Sequence, residues 1–81
     1  MSLIELTEMI IKSIVNDSES VSIKQFSGDD DIIIIEVLVP ENEMGSVIGR
    51  EGKNINALRT IVQASSYLKE NKTIKINVSS F

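Results

Sequence analysis

Of the eight residues from Ile32 to Val39 only Glu36 is polar, and six are β-branched isoleucines or valines. Such a run belongs at the centre of a sheet, because β-branched side chains fit a covered, pleated surface and stiffen in a helix. Ile33, Ile35, Val37 and Val39 then share one face. Pro40 has no amide hydrogen to give a ladder and closes the strand. The rest of the chain has to supply this strand's neighbours and its cover.

The neighbours are legible by period. Val21-Ser22-Ile23-Lys24 alternates apolar and polar and reads as a strand, and Ser27-Gly28-Asp29-Asp30-Asp31 is the turn that follows. Near the end, Ile74, Ile76 and Val78 alternate with Lys75 and Asn77 in a half-covered strand. Helices account for the remainder. Ser2 and Glu5 have the spacing of a capping box and open a helix over about Leu3 to Val15, with apolar residues at Leu3, Leu6, Ile10 and Ile14 and a flanking set at Ile4, Ile11 and Val15. A short helix is expected from Glu43 to Ile48 and a longer one from about Lys53 to Ser66. The fold class is α+β, in the order α-β-β-α-α-β.

Eighty-one residues allow one small core, so residues 1–81 are expected to form a single domain. Neither cysteine nor histidine is present, which removes disulfides, thiolate metal sites and the usual general base near neutral pH. We expect no catalytic residues, no cofactor and no metal. The three aspartates Asp29 to Asp31 lack the spaced pattern of a calcium loop and read as solvated charge in a turn. The N-terminal apolar stretch carries Glu5 and Glu8 and is far shorter than a membrane span, so the expected location is the cytoplasm.

Charge is divided along the chain. Met1 to Met44 holds two basic and ten acidic residues, a balance of −8, whereas Gly45 to Phe81 holds six basic and two acidic, a balance of +4. The net value of −4 therefore conceals a basic second half, the half that can meet phosphate.

Within it lies Val47-Ile48-Gly49-Arg50-Glu51-Gly52-Lys53-Asn54-Ile55, two glycines bracketing two charged residues between helices. Glycine permits positive φ and lets a ligand backbone approach closely. The helix amides around Gly52 to Asn54 are expected to point outward and favour phosphate. Arg50 and Lys53 add cationic charge beside them, and Val47, Ile48, Ile55 and Val37 can floor a groove for bases. A helix-ending turn would explain one glycine better than two. For Arg50, Lys53 and Arg59 the alternative is a solvated helix face, and for Ile48 and Ile55 it is core packing.

This segment resembles the signature of the KH family, in which a G-x-x-G loop clamps about four nucleotides of single-stranded nucleic acid. The element order is similar to the type II variant, and Gly-Arg-Glu-Gly-Lys-Asn-Ile-Asn-Ala-Leu-Arg-Thr-Ile-Val resembles the small bacterial KhpA/YlqC-like proteins over nearly the whole chain. The resemblance implies a three-stranded mixed sheet with three helices on one face. It also implies single-stranded RNA as ligand, held by Ile48, Gly49, Arg50, Glu51, Gly52, Lys53, Ile55 and Arg59. RNA chaperoning, post-transcriptional regulation, a complex with a larger Jag-like KH protein (KhpB) and links to cell-envelope growth and cell length are implied likewise. Glu51 puts a negative charge into the loop, and Phe26, Tyr67 and Phe81 are the only rings, so modest affinity is expected. The alternative is a protein-interaction module that keeps this fold and leaves RNA to a partner, which the acidic first half and Glu51 favour.

The longer helix carries two apolar rows. Ile55, Leu58 and Val62 suffice to pack it on a sheet, yet Ala57, Ile61, Ala64 and Leu68 form another. Ala57, Ile61 and Ala64 are therefore expected at the seam of a homodimer or of a heterodimer with a KH partner, unless the first helix covers them.

Overall fold

The computed structural model describes residues Met1–Phe81. Six elements follow in the expected order: α1 (Leu3–Ile14), β1 (Ser22–Ser27), β2 (Ile32–Val39), α2 (Met44–Ile48), α3 (Lys53–Lys69) and β3 (Thr73–Ser80). Single 3₁₀ turns at Ser18–Ser20, Glu41–Glu43 and Arg50–Gly52 join them.

The sheet is mixed and β2 is its middle strand. β1 runs antiparallel beside it, with Ile23 opposite Val37, and β3 runs parallel, with Ile35 opposite Ile76. Ile33, Ile35, Val37 and Val39 are buried on one face, as their alternation requires. The helices lie over that face: Leu3, Ile11 and Val15 come from α1 and its end, Val47 from α2, and Ile55, Leu58 and Val62 from α3. The parallel neighbour β3 cannot be reached from β2 by a tight turn, so the connection carries α2 and α3 across the sheet. The G-x-x-G loop is the corner of that crossover.

Ser2 and Glu5 form the capping box in full: the Ser2 hydroxyl accepts the Glu5 amide at 3.1 Å and the Glu5 carboxylate accepts the Ser2 amide at 2.9 Å. The face α1 turns inward differs from its apolar list. Its buried residues are Leu3, Thr7 and Ile11, with Leu6, Ile10 and Ile14 half-buried. Thr7 tolerates this place because its hydroxyl donates to the Leu3 carbonyl at 2.9 Å.

Three boundaries also differ. β1 starts one residue after Val21 and continues to Ser27, paired throughout with β2. β3 reaches Ser80, in register with Val39. α3 runs past Ser66 to Lys69, because Ser66 is an interior position whose hydroxyl donates to the Lys72 carbonyl at 2.8 Å. The helix stops where Asn71 turns left-handed at φ 54° and its amide donates to the Ser66 carbonyl.

Candidate nucleic-acid interface

α2 ends at Gly49, whose φ of 76° and ψ of 171° define a backbone region that essentially only glycine occupies. A Cβ there would stand 2.7 Å from Asn54 Cγ and 2.9 Å from the Asn54 amide nitrogen. Gly52, with φ 75° and ψ 15°, is left-handed and opens α3. Glu51 between them is left-handed too, at φ 58°. Three positive φ values within four residues turn the chain sharply and lift Arg50 and Glu51 into solvent, where both are exposed.

Internal hydrogen bonding decides which amides remain for a ligand. The Gly52 amide donates to the Gly49 carbonyl at 3.1 Å, and the Lys53 amide to the Arg50 carbonyl. The expectation that the amides from Gly52 onward face outward is corrected at these two positions, because the 3₁₀ turn uses them to close itself. Arg50 and Glu51, the exposed residues of the turn, form its tip.

Arg50 and Lys53 are exposed and form no ion pair; Glu8 and Lys12 in α1 make the only one in the structure. Arg59 lies two turns along α3, roughly 10 Å from Gly52 at 1.5 Å per residue. Its guanidinium donates to the Ile76 carbonyl at 3.3 Å, so it rests where α3 meets β3. Ile48 is 38 % exposed beside the loop, whereas Ile55 is 7 % exposed and faces the core with Val47 and Val37. Of the apolar residues expected to floor a groove, only Ile48 offers a ligand appreciable surface. No enclosed cavity adjoins the loop, which stands on open surface. Asp29 to Asp31 lie exposed in the β1–β2 turn, and no three acidic side chains converge there.

The second row of α3 is uncovered. α1 packs on α3, yet while Leu58 and Val62 are buried, Ala57 and Ala64 remain exposed, Ile61 is 47 % exposed and Leu68 89 % exposed. Cover by the first helix is therefore not what the fold provides.

Two residues near the loop were not legible in the sequence. Asn54 donates from its side-chain amide to the Ser46 carbonyl at 2.7 Å. Glu43 is buried at the head of α2, where it accepts backbone amides from beyond the end of α1. Both bonds depend on how the chain folds back on itself, and local spacing does not signal them.

Comparison with known proteins follows this geometry. The KH domain of KhpA/KhpB matches residues 4–78. RNA-binding protein KhpA of Clostridium perfringens is 39% identical over 74 residues, which cover 91% of this chain and 96% of the relative. The KhpA proteins of Clostridium acetobutylicum and Thermotoga maritima are 35% and 32% identical over 74 residues, again covering 91% of this chain and 96% and 95% of the relatives. Among solved structures, Era in complex with MgGDPNP and nucleotides of 16S ribosomal RNA superposes with a TM-score of 0.68 at 16% identity. That match covers 96% of this chain and 29% of the Era chain, a likeness of fold.

Proposed function

Because the chain belongs to the KhpA/KhpB KH-domain family, we propose that it binds single-stranded RNA through the loop Gly49–Gly52. The observation that carries this reading is the positive-φ turn from Gly49 to Gly52, which holds Arg50 exposed at its tip beside Lys53, both cations without an ion pair. A phosphate at the tip can be bound and neutralised by both cations. The two glycines let the nucleic-acid backbone come close. Ile48 gives a base an apolar surface, and Arg59 extends positive charge along α3. Glu51 repels phosphate and the segment from Val47 to Ile55 contains no ring, so affinity is modest and sequence preference limited.

The proposal includes a cytoplasmic, non-enzymatic role in RNA chaperoning or post-transcriptional regulation, linked to cell-envelope growth and cell length. It also includes pairing through Ala57, Ile61 and Ala64 with a second copy or with a KhpB/Jag-like KH partner. The exposure of that row supports pairing, since a helix face with Ile61 half in water gains by burial. The same face and Glu51 favour a second reading, a protein-interaction module with little RNA affinity of its own. Filter binding of short single-stranded RNA over a salt series separates the two: saturable, salt-weakened binding is expected of the first, and no binding at low salt of the second.

A further inference from the structure

We infer that Asn54 is the positioning residue of the loop, holding its neck closed so that the Arg50 side chain stays presented at the tip; this rests on the RNA-binding reading above. Left-handed backbone at a non-glycine residue such as Glu51 is strained and persists only when its surroundings hold it. Within the loop, short-range bonds run from Gly52 to Gly49 and from Lys53 to Arg50. The one side-chain bond that spans it runs from Asn54, in the first turn of α3, to the Ser46 carbonyl in α2.

Two features make the contact specific to asparagine. The Ser46 carbonyl belongs to the last turn of α2, where carbonyls lack helical donors, and Gly49 has already given its own amide to Gly45. A short carboxamide reaches Ser46 at 2.7 Å while its Cγ and Cβ fill the space against Gly49 Cα. The same residue thus bonds one arm of the loop and packs on the glycine that begins the turn. With the neck open, Gly49 and Glu51 are free to relax toward ordinary backbone angles, and the placement of Arg50 at the tip is lost. Asn54 itself need not touch RNA.

The test uses the full chain with a short single-stranded oligonucleotide. Asn54→Leu keeps the approximate shape and removes the donor; Asn54→Ala is the companion should leucine disturb folding, which circular dichroism reports. RNA affinity is expected to fall about tenfold in either variant. In an Arg50→Ala background the same change is expected to cost no more than about twofold, because its effect passes through the loop. Amide hydrogen exchange at Arg50 to Gly52 is expected to quicken, a readout that needs no RNA. Unchanged affinity in a folded variant, an equal loss with and without Arg50, or unaltered exchange each overturns the inference. A parent chain that binds no RNA overturns the RNA-binding reading, and the inference falls with it.

Discussion

The carboxylate of Glu43 accepts the backbone amide of Asp17 at 2.8 Å, and the same oxygen accepts the amide of Asn16 at 2.8 Å. Glu43 is 3 % exposed and stands where α2 begins, so it fastens the chain leaving α1 to the helix that carries the loop. Replacing it by alanine leaves two amides without their acceptor. Each unsatisfied amide costs about 1–3 kcal/mol, and since Asn16 and Asp17 are exposed enough for water to help, the total for Glu43→Ala is expected near 2–3 kcal/mol. Glu43→Gln retains an acceptor oxygen and is expected to lose about half as much. Urea denaturation of the three proteins measures both losses.

Ile61 and Val62 are adjacent in α3 yet 47 % and 0 % exposed. A charge at Ile61 therefore meets water in the monomer and an apolar seam in a dimer. Ile61→Asp is expected to leave the circular dichroism spectrum and melting temperature of the monomer unchanged while converting a sedimenting dimer into monomers. A parent that sediments as a monomer at high concentration contradicts the pairing.

Ser2 holds the Glu5 carboxyl below its usual range, first through its backbone amide and then through its side chain. A lowered value means that the stabilisation is complete above the ordinary glutamate value of about 4.3 and is lost as pH falls through the lowered one. Glu5 is fully exposed, so the effect is confined to the first turn of α1. Amide exchange of that turn is expected to quicken on acidification in the parent and to be quick already, with little pH response beyond the intrinsic one, in Glu5→Gln.

Salt dependence follows from the number of cations near the loop. Arg50 and Lys53, with help from Arg59, neutralise two or three phosphates, so the slope of log affinity against log salt is expected at roughly −1.5 to −2; Lys69 stands at the far end of α3, against the Met1 carbonyl. Filter binding at several salt concentrations measures it; a slope near zero points to the protein-interaction reading.

What could be read in advance divides along a physical line. The Ile32–Val39 strand and its buried face are properties of composition and period, and the fold reproduces them residue for residue. The glycine pair was legible because positive φ is a demand that local sequence reveals, and Gly49 and Gly52 both meet it. Glu43, Asn54 and Ser66 were not, since each is held by a partner that the fold brings back to it, and Thr7 was not, since its hydroxyl bond to the Leu3 carbonyl is one that any helical threonine can make, buried or exposed. Glu43 finds its partners 26 and 27 residues earlier in the chain. The direction of the loop amides was misjudged for a related reason: a 3₁₀ turn consumes the Gly52 and Lys53 donors that a bare helix start would leave open. The second row of α3 was seen, but whether α1 would cover it depended on the angle at which two helices meet.

The central claim is that the loop tip carries RNA binding, and the most direct test is affinity for single-stranded RNA in a variant with Arg50→Asp and Glu51→Asp together. Both positions are exposed, and aspartate tolerates left-handed backbone, so stability is expected to change by less than about 0.5 kcal/mol. The variant is expected to keep the parent's circular dichroism spectrum and to show no measurable RNA binding at a salt concentration where the parent saturates. A folded variant that binds RNA as tightly as the parent contradicts it.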